Sequence, residues 1–274
     1  MEETMRKKEK KKFTILGINI WEIFAYFIIY SIAGYFIETS FAIIRYGVLE
    51  SRQSFLYGPF CSIYGVGAVV MIIFLQYFKR NRLTLFIGGF IIGSITEYLV
   101  SLIGELILHV KWWDYSNMPF NINGRICFSY SMFWGVLAIF LMRTIHPRIR
   151  KLMAYILKKL PGKLIKPLIS FIIIFMAFDC IISGHAINLF TIRMVAEHDL
   201  NVANKEIIID INNTLKESNF HQNIVRIFFN NEKMIKTYPN LKVEQLDGSI
   251  VYFKDLLPDI KPYLFRFSNQ DYYK

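Results

Sequence analysis

A 274-residue chain that is 54% hydrophobic, with a mean hydropathy of +0.35, is too apolar for an ordinary soluble domain and reads as a membrane protein. Its formal net charge of +11 is unevenly spread: residues 191–274 hold eleven basic and eleven acidic side chains, so the whole excess lies in the first 190 residues. There the basic residues flank apolar runs, which argues for membrane topology and against a nucleic-acid partner.

The chain opens on a basic stretch, "MRKKEKKK", with six Lys/Arg between Arg6 and Lys12. Residues 1–18 read as a basic cytoplasmic tail. A spanning helix needs about 20 mostly apolar residues, and five runs are expected to cross. The first is about Asn19 to Ile43, the second about Gly58 to Phe78, the third about Leu83 to Leu108, the fourth about Ile126 to Met142 and the fifth about Leu168 to Phe190. The first run is too long for a signal peptide, contains Glu38 and lacks a small-x-small cleavage site, so it reads as an uncleaved span.

Loop charge sets the orientation. The N-terminal stretch, the "KRNR" connection (Lys79, Arg80, Arg82) and the eight Lys/Arg from Arg143 to Lys166 belong on the cytoplasmic side. The connections carrying Arg45 and Arg52, and Lys111 and Arg125, belong outside, as does the charge-neutral extension 191–274. Within the third basic connection, Ile149, Leu152, Met153, Ile156 and Leu160 recur at helical spacing among Arg148, Arg150, Lys151, Lys158 and Lys159. That pattern predicts a short amphipathic helix on the inner membrane surface, ended by "LPGK". It serves either as an anchor on anionic lipid or as a docking element for a cytoplasmic partner. In the extension, "EIIIDINNTL" and "NIVRIFFNNEKMIK" fit amphipathic helices, and Asp247-Gly248 in "QLDGSIVYF" signals a hairpin turn.

Charged groups inside a span cost about 2.5–3.5 kcal/mol each, so those present need a reason. Ser31, Gly34 and Glu38 share a face of the first span. In the third, Gly89, Gly93, Glu97, Ser101 and Glu105 recur every four residues, a stripe whose small members allow close helix approach. Asp179 and Ser183 stand one turn apart in the fifth, with His185 nearby. Carboxylates suit hard cations, but no ligand spacing marks a metal site, and no cofactor is expected. His109 and His185 read as interfacial residues. Cys61, Cys127 and Cys180 lie in or beside apolar runs and read as packing residues.

The stretch "WWDYSNMPFNINGR" puts Trp112, Trp113 and Tyr115 where an interfacial aromatic belt belongs. Asp114, Asn117, Pro119 and Gly124 then predict turns rather than helix. Irregular backbone at membrane depth persists only where protein buries it or water reaches it. A capping loop over the outer mouth of the bundle is expected, with Asp114 and Arg125 bonded to each other or to the glutamates.

These residues resemble a known family. "NGRICFSYSMFWG" after "WWDYSNMPFN", together with "GYFIETSF", "SRQSFLYGPFCSIYGVGAV" and "EYLVSLIGE", is similar to the CmpB-type ABC-transporter (type IV) permease family over about residues 27–190. The resemblance implies a permease-like role and draws attention to Glu38, Arg52, Tyr57, Gly58, Pro59, Tyr64, Gly65, Glu97, Glu105, Trp113, Asp114, Tyr115, Asn121, Gly124, Arg125 and Trp134. It carries no catalytic role for any of them.

The expected fold is all-α: a polytopic membrane helix bundle of about five transmembrane helices (19–190) with a small C-terminal extension (191–274) of mixed type, in the plasma membrane. The expected function is a transport component with a polar chamber lined by intramembrane carboxylates, Glu38, Arg52, Tyr57, Glu97, Glu105, Asp114, Tyr115, Asn121 and Arg125 being the candidates for its substrate or ion pathway. The chain has no Gly-x-x-x-x-Gly-Lys-Ser/Thr loop, so a separate ATP-binding subunit would dock near 143–167, and so few spans favour a homo-oligomer. Two other classes stay open. One is an integral-membrane enzyme acting on a lipid-linked substrate, with Glu97 or Glu105 as general base and Arg125 on a phosphate or oxyanion. The other is a scaffold or sensor whose carboxylates only join helices.

Overall fold

The computed structural model describes residues 13–108 and 113–267; Met1–Lys12, with the basic stretch, and His109, Lys111 and Trp112 lie outside the described residues. A short hairpin, β1 (Thr14–Ile15) and β2 (Ile18–Asn19), leads into α1 (Ile20–Tyr46). Strand β3 (Val48–Leu49) follows, then α2 (Ser62–Leu75) with a tight 3-10 turn at Gln76–Phe78. Next come α3 (Arg82–Leu108), α4 (Phe128–Phe140), a π turn (Leu141–Ile145), α5 (His146–Lys159) and α6 (Gly162–Glu197). The extension holds α7 (Lys205–Glu217), α8 (Asn219–Phe228), α9 (Asn231–Thr237), β4 (Lys242–Glu244), β5 (Ile250–Tyr252), α10 (Phe253–Leu256) and β6 (Phe265–Arg266).

Among the described residues, four helices are long and apolar enough to cross a membrane: Ile20–Tyr46, Arg82–Leu106, Phe128–Ile156 and Gly162–Glu197. The all-α membrane bundle is therefore the architecture, with two differences from expectation. The second apolar run does not become helical until Ser62, because Gly58 takes a φ of +78° and Pro59 follows it. What remains, 14 residues of α-helix and a three-residue turn, is about 27 Å long, close to the ~30 Å hydrocarbon thickness. The fourth run does not stop at Met142. The π turn carries it into α5 without a loop, so the basic amphipathic helix continues a span. "LPGK" ends it as expected: Leu160 is extended and α6 starts at Gly162.

The described residues form two compact units, one drawn from 13–30 and 65–173 and the other from 31–64 and 174–267. In the first, Tyr26, Tyr30, Met71, Leu75, Leu85 and Leu141 are buried together. His146 enters this core edge-on to Tyr26, with ring centroids 4.8 Å apart. One face of α3 stays bare: Leu83, Ile87, Ile91, Ile95, Leu99, Ile103 and Leu106 are exposed at three- and four-residue spacing. In water such a stripe would cost about 25 cal/mol per Å²; against lipid it costs nothing.

The second unit is organised by α6. Met176, Asp179, Ser183, Ala186, Phe190 and Met194 fall on its buried face at three- and four-residue steps. Phe190 and Phe253, both fully buried, meet edge-on at 5.4 Å within a core that also holds Leu56, Met234 and Ile235; each such side chain contributes about 1.5–3 kcal/mol. "EIIIDINNTL" is helical, as read. The longer "NIVRIFFNNEKMIK" breaks in two, because Asn230 caps α9 by accepting from the Lys233 amide at 2.9 Å. The hairpin turns at Gly248, φ +82°, joining β4 to β5. Strand β6 returns antiparallel to β3, pairing Val48 with Arg266 and Leu49 with Phe265.

Candidate functional site

In the first unit, the four-residue stripe of α3 meets α4 at close quarters. A Cβ on Gly93 would stand 2.5 Å from the Trp134 Cβ, and one on Gly89 would stand 2.9 Å from the Trp134 carbonyl oxygen. Reciprocally, a Cβ on Gly135 would fall 2.7 Å from the Phe86 ring. The helices can touch only because these positions lack side chains. The contact then continues as polar steps: Ser94 Oγ bonds Ser131 Oγ at 2.6 Å, and one turn on the stripe reaches Glu97.

Glu97 is buried, and each of its oxygens accepts a bond. The Trp134 indole donates to Oε2 at 2.9 Å, and the Tyr115 hydroxyl donates to Oε1 at 3.0 Å. Tyr115 comes from the loop 113–127 and stacks on Tyr130 of α4, with centroids 4.6 Å apart. Burial, followed by the charge of Glu97, raises the pKa of its phenol, which keeps the group a donor. One turn further on, Ser101 Oγ accepts from Arg125 Nη1 at 3.2 Å, and Glu105 pairs with Arg125 Nη2 at 2.7 Å. The Arg125 guanidinium also lies 5.9 Å from the centre of the Tyr98 ring.

The loop that delivers Tyr115 and Arg125 is irregular and braced from within. Tyr115 N–H donates to Gly124 O at 2.8 Å, and Trp113 Nε1 donates to Arg125 O at 2.9 Å. Asn121 donates to Ser116 O and Met118 O and accepts from the Gly124 amide, so its role is to hold the loop's shape. Gly124 has a φ of +64°, and a Cβ there would meet Asp114 Oδ1 at 2.6 Å. Asp114 itself accepts from the amide and hydroxyl of Ser116, at 3.0 and 2.6 Å. Of the expected partnerships, Arg125 with Glu105 is present, and Asp114 bonds Ser116 of its own loop.

In the second unit, Glu38 accepts from the Tyr64 hydroxyl at 2.5 Å. The face shared by Ser31, Gly34 and Glu38 receives the start of α2: Cys61 N–H donates to Ser31 O at 2.9 Å, and a Cβ on Gly34 would overlap the Tyr64 ring. The segment 50–61 that precedes α2 is non-helical, and its amides are met from α6. Leu56 N–H donates to Ser183 Oγ at 2.6 Å, and Tyr57 N–H donates to both carboxylate oxygens of Asp179, at 3.1 and 3.3 Å. The segment also bonds itself, Ser54 N–H to Phe60 O at 2.7 Å and Ser62 N–H to Ser54 Oγ at 3.0 Å. Asp179 and Ser183 thus hold irregular backbone against a span, which answers why they are there. Arg52 forms an ion pair with the buried Glu50. The Tyr57 hydroxyl accepts from Lys233 Nζ at 3.0 Å, and the ammonium also sits over the ring.

The expected site residues therefore divide into two sets. Glu97, Glu105, Tyr115 and Arg125 form one polar line along α3, with Asn121 and Asp114 shaping its loop. Glu38, Arg52 and Tyr57 each have a separate partner in the second unit. The residues not singled out beforehand are Ser94, Ser131, Tyr130, Glu50 and Lys233; only the serines had a sequence signal, since Ser94 stands three residues before Glu97. Among the described residues no group of three His, Cys, Asp or Glu side chains is placed to hold a metal ion. With both oxygens of Glu97 engaged by donors, it is built as a fixed acceptor and would have to break a bond to take a proton as a base.

Residues 25–184, more than half of the chain, match the protein family described as "Putative ABC-transporter type IV". No curated protein and no solved structure matches the chain.

Proposed function

Because the chain belongs to that ABC-transporter type IV family, we propose that it is the permease-like membrane component of a transport system whose ATP hydrolysis is supplied by a separate subunit. The observation that carries this is the polar line along α3, Ser94, Glu97, Ser101 and Glu105, closed by Tyr115 and Arg125. It leads from the middle of a span to its end, where purely structural contacts would be served more cheaply by apolar packing. In the orientation argued from loop charge, this end faces outward, the N-terminus is cytoplasmic and the extension is outside, in the plasma membrane. The inner end of α4–α5 then offers Arg148, Arg150 and Lys151 to an ATP-binding partner. A second copy of the chain would complete a pathway that four or five spans cannot enclose.

The test is purification of the full chain from its native membrane in mild detergent, with identification of co-purifying proteins and assay of ATPase activity. A subunit bearing a Gly-x-x-x-x-Gly-Lys-Ser/Thr loop should accompany the wild type. It should be lost from Arg148→Ala/Arg150→Ala/Lys151→Ala protein that is otherwise folded. Wild-type preparations that repeatedly contain no such subunit and no ATPase activity refute the proposal.

A further inference from the structure

The second unit contains a cavity of about 380 Å³ where the end of α6 meets α7 and α8. Ligand pockets typically measure roughly 300–1,000 Å³. Its polar lining is one-sided. Arg193 of α6, Lys216 of α7, and His221 and Arg226 of α8 contribute to it, and no Asp or Glu does. Arg193 Nε is buried and makes no hydrogen bond within the described residues, although Nη2 is engaged by the Phe229 carbonyl at 2.9 Å. Glu197 pairs with Lys216 at 3.1 Å. The rest of the wall is apolar, formed by Leu189, Leu215 and Val225, beside the amides of Asn212 and Gln222.

Arg193 and Arg226, with the Glu197-paired Lys216 and His221 around the same hollow, exceed what a singly charged carboxylate requires and suit a phosphate, which carries about −1.5 to −2 charges at neutral pH. The apolar wall asks for a non-polar group attached to it. Position on α6 decides between a lipid and a solute. The exposed apolar residues Ile174, Phe178 and Ile181 give way to exposed His185 and Asn188. Arg193 lies twelve residues beyond Ile181, about 18 Å at ~1.5 Å per residue. The headgroup layer is only about 5–8 Å deep on each side, so Arg193, measured from Ile181, lies beyond it. We propose that this cavity is a binding site for a small water-soluble phosphomonoester carrying an apolar group. The proposal stands independently of the transport reading.

The test uses the full chain in neutral detergent and isothermal titration with phenyl phosphate, inorganic phosphate, and vesicles of phosphatidic acid or phosphatidylcholine. Phenyl phosphate should bind saturably and more tightly than inorganic phosphate. Lys216→Gln and Arg226→Gln, both at exposed positions and each checked for unchanged thermal unfolding, should each weaken it about tenfold. Absence of saturable phenyl phosphate binding, or affinity unchanged in both variants, overturns the assignment. Saturation by phosphatidic acid vesicles alone also overturns it and gives the site to a bilayer lipid.

Discussion

Replacing Glu97 by Gln keeps the shape of the side chain but turns one of its two acceptors into a donor. Trp134 Nε1 at 2.9 Å and Tyr115 Oη at 3.0 Å both donate to this residue, so one of them must then face an amide N–H. Losing a hydrogen bond to a charged partner costs about 1.5–3 kcal/mol. For a chain of this size that lowers the unfolding midpoint by roughly 3–5 °C. Glu97→Leu strands both donors and should cost about twice as much. Tyr115→Phe removes one donor and leaves an oxygen unmet. Because Glu97→Gln and Tyr115→Phe disturb the same bond, the double variant should be less destabilised than the sum of the singles, by at least about 0.5 kcal/mol. The readout is alkylation of Cys127, which is 1% exposed at the N-cap of α4, during heating in detergent. Cys180, which is exposed, is replaced by Ser beforehand. If Glu97→Gln unfolds within 1 °C of wild type, or if its effect and that of Tyr115→Phe simply add, the bonding drawn around this carboxylate is wrong. Should it stay folded at assay temperature, with the lowered midpoint, and abolish co-purified ATPase activity, the polar line has a function besides its structural one.

Three more outcomes follow from the geometry. Gly93→Ala brings a methyl to 2.5 Å from the Trp134 Cβ, against a comfortable 3.5–4 Å, roughly; overpacking of about 1–3 kcal/mol should outweigh the gain of about 1 kcal/mol in helix propensity, and thermal unfolding at or above wild type would contradict close α3–α4 packing. Asp179→Ala combined with Ser183→Ala removes the acceptors for the Leu56 and Tyr57 amides, so thiol labelling of the buried Cys61 should accelerate at least about tenfold, and unchanged labelling would show that the loop is held otherwise. Burial, then the charges of Arg193 and His185, lowers the pKa of His221. The unfolded chain therefore binds the proton more readily, and stability falls as pH drops below the unfolded value of about 6.5; unfolding midpoints from pH 7.5 to 5 should show a shallower acid decline in His221→Gln.

The spans were legible because an apolar run of about 20 residues has few fates, and the α3 stripe because small residues at four-residue spacing imply a close neighbour. Two span boundaries went astray for local reasons. Gly58-Pro59 delays α2 by a turn. The join after Met142 gives no composition signal, since a π turn uses the same residues as a helix. The capping loop was readable from Asp114, Pro119 and Gly124, but its hydrogen-bond partners were not: Asp114 had an acceptor's choice of nearby amides, and only the fold decides that Ser116 wins. Asp179 and Ser183 were visible as costly polar residues one turn apart. Their purpose was invisible because the groups they satisfy are backbone amides, which carry no residue identity. The basic cavity escaped notice for a related reason: Arg193, Lys216, His221 and Arg226 belong to three helices and look like ordinary surface charge until those helices pack.

The junction at Leu141–Ile145 has a mechanical consequence. With no loop between them, α4 and α5 make one rod from Phe128 to Lys159, about 48 Å long at ~1.5 Å per residue. Just past the π turn it carries the basic residues Arg148, Arg150 and Lys151; nearer its start it holds the Trp134 indole. The wider π winding is the weak joint of that rod. A protein gripping those basic residues would act on the rod beside its weak joint, and a twist passed along α4 would reach the indole that bonds Glu97.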